Sequence, residues 1–133
     1  CFLRNIIKKD MINSAHDLGD GGLVVALAEC CISSGLGATI QLPLSESRLD
    51  RLLFAEGGGR VLVSCSSQQT LKLKNYYKKI SLKQATNFSI SHLGTVNDQN
   101  KLSVYQANNS IIDVDILHIK DTYKNAILKK IVK

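Results

Sequence analysis

The chain of 133 residues is 44% hydrophobic and 21% charged, with one proline and nine glycines, the balance of one ordinary folded domain. The density of Leu, Ile and Val excludes intrinsic disorder. No apolar run approaches the roughly 20 residues of a membrane span, the longest, Leu23 to Ile32, being interrupted by Glu29. The net charge of +6 is uneven: residues 1 to 66 carry six Lys and Arg against seven Asp and Glu, and residues 67 to 133 carry eleven against four.

Phe2 to Ile12 sets Leu3, Ile6, Ile7 and Met11 on one stripe at helical spacing, with Arg4, Lys8, Lys9 and Asp10 opposite, and reads as the second half of a longer helix. Asn13 to Leu18 is then a short extended or turn segment. Asp20 is the expected N-cap of an apolar helix opened by Gly21-Gly22, running to Ser34 and closed by Gly35. Ala38 to Leu42 alternates as a strand and stops at Pro43. Ser45 is positioned to cap a short helix burying Leu49, Leu52 and Leu53, and Arg60 to Cys65 is the clearest strand. A helix over Gln68 to Ile80 follows, then short strands at Phe88–Ser91, Lys101–Gln106 and Ile111–Val114. The last helix, about Asp121 to Val132, carries Ala126, Ile127 and Ile131 on one side. Helices and strands without strict β-α alternation predict an α+β domain, with helices packed on a mixed or antiparallel sheet, and no linker or repeat divides the chain.

Cys1, Cys30, Cys31 and Cys65 lack C-x-x-C spacing, and His16, His92 and His118 are isolated, so the pattern favours packed thiols in a reducing cytoplasm over a zinc site. The lysines at 72, 74, 78, 79 and 83 read as a solvated helix face. Only Tyr76 and Tyr77 lie among them to stack on bases, which argues against nucleic acid.

Two segments concentrate glycine with charge. His16-Asp17-Leu18-Gly19-Asp20-Gly21-Gly22 stands at a helix start, where free N–H groups favour phosphate and Asp17 and Asp20 are suited to Mg²⁺ held together with phosphate oxygens. The alternative is a capped helix with glycines needed for packing. Phe54-Ala55-Glu56-Gly57-Gly58-Gly59-Arg60 stands immediately before a strand and reads either as an anion-wrapping loop with Arg60 as charge partner or as a plain turn. It has neither the Lys-Ser/Thr of a Walker loop nor G-x-G-x-x-G, and no Ser-His-Asp or Cys-His arrangement is present.

The run Ser14-Ala15-His16-Asp17-Leu18-Gly19-Asp20-Gly21-Gly22-Leu23-Val24-Val25-Ala26-Leu27-Ala28-Glu29 resembles the S-A-H-D-x-S-D-G-G-L-A-V-A-L-A-E signature of the phosphoribosylformylglycinamidine synthase family, in the last domain of its synthetase chain. Leu53-Phe54-Ala55-Glu56-Gly57-Gly58-Gly59-Arg60-Val61-Leu62-Val63 matches L-F-x-E-x-x-x-R-x-L-V. His92-Leu93-Gly94-Thr95-Val96 resembles the later I-G-x-V element, with Ile112-Asp113 after it. The matches are in order and cover nearly the whole chain.

The resemblance implies one C-terminal domain over residues 1–133, with the aminoimidazole ribonucleotide synthetase-like α+β fold. It implies a part in the ATP-dependent conversion of formylglycinamide ribonucleotide, with glutamine-derived ammonia, to the amidine. The implied partners are upstream synthetase domains, a glutaminase domain or subunit and small-molecule substrates, without nucleic acid or membrane, and the implied cofactors are ATP or ADP and Mg²⁺. Asp17 falls where the family's first C domain holds a metal-binding Asp. His16, Asp17, Gly21, Gly22, Glu56 and Gly57 are then expected to face an auxiliary nucleotide, with no catalytic residue among them. The glycine loop departs from the family's G-E-S-Q form, since Ala55 precedes Glu56 and Gly57-Gly58 replace Ser-Gln. Because the chain starts at Cys1, a strand and half a helix are expected before it, and the isolated piece is expected to be inactive and marginally stable or self-associating. The competing expectations are a stand-alone nucleotide- or RNA-binding module and another superfamily member such as selenophosphate synthetase.

Overall fold

The computed structural model describes residues 1–44, 48–83 and 87–131, without the side chains of 127–129. In chain order the elements are α1 (Phe2–Lys8), β1 (Ser14–Asp17), α2 (Gly22–Ser34), β2 (Gly37–Leu42), α3 (Leu49–Phe54), β3 (Val61–Ser64), α4 (Ser67–Ser81), β4 (Gly94–Asn97), β5 (Lys101–Gln106), β6 (Asn109–Asp115) and α5 (Ile116–Ile131). The architecture is α+β, as the sequence predicts. The Ser45 cap lies outside the described residues, as do Val132 and the Ile127 side chain.

The elements fall into two compact units. The first comprises Cys1–Asp17 and Val61–His92. Its β1 and β3 pair antiparallel, Ala15 opposite Val63 and His16 opposite Leu62. Ile6, Ile12 and Leu73 are buried together, and Phe2, Leu3, Met11, Val63 and Tyr76 pack on them. α1 ends at Lys8 rather than continuing to Ile12, because Asp10 turns into the left-handed region at φ 51° while its N–H and that of Met11 bond the carbonyls of Ile7 and Ile6. Met11 therefore reaches the core from the turn and not from the helix stripe. α4 starts with a reciprocal cap: Gln69 N–H donates to Ser66 Oγ, and Ser66 N–H to Gln69 Oε1 at 2.8 Å. The expected strand at Phe88–Ser91 is irregular chain. Phe88 is drawn instead into ring contacts with Phe2 and Tyr77, and its carbonyl accepts from the Tyr77 hydroxyl at 3.0 Å.

The second unit comprises Leu18–Arg60 and Leu93–Lys133. Its sheet has the order β4-β2-β5-β6, with β2 and β5 parallel and the outer pairs antiparallel. The register sets Ala38 beside Leu102 and Ile40 beside Val104, all four buried on one face, and α2 lies against β2 and β5. The other face is polar: Asn97 Nδ2 donates to Thr39 Oγ1 at 3.0 Å, and Asp113 accepts from Ser103 Oγ at 2.9 Å and Lys101 Nζ at 3.1 Å.

Within the same unit α2 also packs on α3 and α5. Of the three leucines expected to be buried by α3, only Leu53 is; Leu49 and Leu52 are half-buried. β4 was not foreseen as a strand. It exists because Gly94 lets the backbone approach, a Cβ there standing 2.0 Å from the Thr39 carbonyl oxygen. α5 begins at Ile116, five residues before the expected Asp121, because Ile116 is buried and its N–H bonds the Asn100 carbonyl at 2.9 Å.

Candidate functional site

α2 of the second unit opens differently from the expected pattern. Its N-cap is Gly21, in the left-handed region at φ 77°, without any side-chain bond of its own, and Gly22 follows at φ 67°. Asp20 stands one residue earlier in the turn and does not cap the helix. With no acidic residue in the first turn of α2, the carboxylate comes from a distant segment: Gly21 N–H donates to Glu56 Oε1 at 3.0 Å. Glu56 is brought there by backbone packing. A Cβ on Gly22 would stand 2.7 Å from the Phe54 carbonyl carbon and 2.8 Å from the Ala55 oxygen, so only glycine lets the end of α3 lie against the start of α2.

Gly57, Gly58 and Gly59 have open space where side chains would be, with Gly59 at φ 87°. Arg60, expected as a charge partner for an anion, donates to the Ala55 carbonyl across the same loop, and its own carbonyl accepts from Leu18 N–H at 3.0 Å. The fold thus brings Gly21, Gly22 and Glu56 together at one corner, while Gly57 projects from it.

His16 and Asp17 stand in β1 of the first unit. His16 Nδ1 lies 2.6 Å from the Asp17 carbonyl oxygen, which it reaches as a donor when that nitrogen carries the proton, and the Asp17 side chain is 88% exposed. Among the described residues no three His, Cys, Asp or Glu side chains gather into a metal-binding group. One open carboxylate suits Mg²⁺ only where phosphate oxygens and water complete the shell, which is how that ion is commonly held beside nucleotides.

The four thiols are free. Burial pushes Cys30 and Cys31 up, helped by the Glu29 charge at Cys30, which suits packed thiols and not nucleophiles. Sequence reasoning missed one tie, Tyr123 hydroxyl to Glu29 Oε1 at 3.1 Å; only the ninety-odd intervening residues folded bring these together. No helix among the described residues is long and apolar enough to cross a membrane.

An α+β chain with a glycine-cornered helix start thus belongs to a defined class of domains. The sequence model of the family described as AIR synthase related protein, C-terminal domain, matches residues 2–106, and the chain belongs to that family. Phosphoribosylformylglycinamidine synthase subunit PurL from two strains of Prochlorococcus marinus is 70% identical over 132 residues, 99% of this chain. The chain spans 16% of the length of those relatives. Among solved structures, Thermotoga maritima PurL complexed with ATP superposes with a TM-score of 0.75 at 19% identity, covering 90% of this chain and 20% of that one. The same protein complexed with FGAR gives 0.74 at 20% identity, and the PurLQS structure 0.74 at 18%, with the same coverage. At these identities the likeness is one of fold.

Proposed function

We propose that this chain is one C-terminal synthetase domain of a PurL-type enzyme, taking part in the ATP-dependent conversion of formylglycinamide ribonucleotide and ammonia to formylglycinamidine ribonucleotide. The observation that carries the reading is the 70% identity over 132 residues to PurL subunits. The ordered motifs from Ser14 to Val96 lie within the matched stretch and agree with it. In this reading ATP activates the amide oxygen and ammonia displaces phosphate. The chemistry belongs to upstream domains of the same polypeptide, and the chain alone is inactive. Ammonia comes from a glutaminase partner, in keeping with the PurLQS assembly of the Thermotoga relative, and the enzyme works in the cytoplasm.

The role proposed for the chain's own residues is to support an auxiliary nucleotide. In the second unit Gly21, Gly22, Glu56 and Gly57 offer a glycine corner with backbone N–H groups, fitting phosphate chemistry. The first unit is proposed to contribute by itself: His16 and the open Asp17 carboxylate suit nucleotide phosphate, Asp17 through Mg²⁺.

Reconstitution tests the reading: this chain is mixed with a polypeptide carrying the upstream domains, and ATP- and ammonia-dependent loss of formylglycinamide ribonucleotide is followed. Turnover present in the mixture and absent from either piece is expected. Two folded pieces that give no turnover together would overturn it.

A further inference from the structure

The positive end of α2 is already occupied by the chain itself. Gly21 contributes no side chain, the first turn holds no acid, and among the described residues the carboxylate bonded there is that of Glu56, 35 residues on, at 3.0 Å from Gly21 N. Both ends of the Ala55–Arg60 segment are tied to Leu18–Gly22. At one end Glu56 bonds Gly21 and the Phe54–Ala55 backbone abuts Gly22; at the other, the Arg60 carbonyl holds Leu18 N–H at 3.0 Å. Between these ties lie three glycines with nothing against them, and the Arg60 guanidinium is turned back to the Ala55 carbonyl rather than pairing with Glu56.

We propose that Glu56 is a positioning residue, a latch: its carboxylate is the built-in anion of the α2 N-terminus and holds the Ala55–Arg60 arch closed across Leu18–Gly22. A carboxylate suits this place because the unsatisfied N–H groups of a first turn carry partial positive charge. The glycines give the arch freedom to swing once the latch is released. A phosphate reaches Gly21 N–H only by displacing Glu56, a consequence that rests on the auxiliary-nucleotide reading, whereas the latch itself does not.

The test uses the full-length polypeptide and residue-resolved amide hydrogen exchange. In Glu56→Ala the exchange of Gly21 and of Leu18 should both rise at least about tenfold, because an arch opens as a unit. Glu56→Gln, whose amide oxygen still accepts, should bring both back to within about threefold of the parent. Glu56→Asp keeps the charge but shortens the reach and should exchange like the alanine variant, so the latch can be judged even where Glu56→Ala does not fold. Unchanged exchange at Gly21, or a rise at Gly21 alone, would overturn the latch, as would Glu56→Asp behaving like the parent. Inorganic phosphate then separates the two readings. Protection of Gly21 should need about fivefold less phosphate in Glu56→Gln than in the parent, since the competing charge is gone. Equal phosphate requirement alongside faster exchange in Glu56→Asp leaves the latch in place and removes the phosphate reading of this corner.

Discussion

Gly22 and Gly57 both belong to glycine runs, yet their surroundings differ. Gly22 sits at φ 67°, and any Cβ there would meet the backbone of Phe54 and Ala55 at under 3 Å; a Cβ on Gly57 would meet nothing within 4 Å, and the residue is exposed. Gly22→Ala is therefore expected to lose about 2–4 kcal/mol, left-handed strain and overlap with unyielding backbone acting together. Gly57→Ala should stay within about 0.5 kcal/mol of the parent. Urea unfolding of the two variants checks the contrast, and equal losses would show that the corner is not packed as described. The sequence pointed to both runs but could not rank them, since what distinguishes them is the approach of a segment more than thirty residues away. Asp113 is a second case. Its bonds from Ser103 and then Lys101 hold its carboxyl below the ordinary 3.8. A lowered carboxylate adds stability that is complete above the ordinary value and is lost as pH falls through the lowered one. Asp113→Asn should flatten the acid limb of a stability–pH curve below pH 3.8, and its cost at neutral pH is the loss of the Ser103 bond and the Lys101 ion pair.

Among the elements, α4 was the most legible. Its helical run and lysine-rich outer face are local, and the expected Gln68–Ile80 became Ser67–Ser81, the structure adding the Ser66–Gln69 cap. Ser66→Ala removes the oxygen that accepts from Gln69 N–H and should cost about 1 kcal/mol, read as a fall in the melting temperature that Ser66→Thr largely avoids. α1 was overextended because periodicity carries no sign of where a left-handed Asp10 will end a helix. β4 escaped notice because one short segment has little pattern of its own and is made a strand by its partner β2. α2 and α5 are tied by Tyr123 to Glu29; this bond, then the Glu29 charge, raises the Tyr123 hydroxyl above its ordinary 10.0. A raised group adds stability that is present below its ordinary value and is lost as pH rises through the folded one. Tyr123→Phe should therefore remove part of the alkaline loss above pH 10, measured by chemical unfolding between about pH 9 and 11.

At the scale of the molecule, charge divides by unit rather than by half of the chain. The first unit carries eight Lys and Arg against two acids, the whole net +6, while the second carries nine against nine. Self-repulsion in a small basic unit weakens its compact state and is relieved by salt. Raising salt from about 10 to about 300 mM should slow amide exchange in α1 and α4 more than in the β2–β5 pair. Equal slowing would mean that the lysines are too well solvated to repel one another.

By itself the sequence determined the α+β class, the helices α2 and α4, the strands β2, β3, β5 and β6, and the family, because each rests on local periodicity, caps and ordered motifs. It also singled out the glycine-and-acid segments around Gly21 and Glu56. Only the tertiary structure decided that Glu56, and not Asp20, supplies the carboxylate at the start of α2, that Arg60 turns back on its own loop, and that Gly94 permits a fourth strand in the second unit's sheet. These depend on close approaches between distant segments, which residue spacing does not encode.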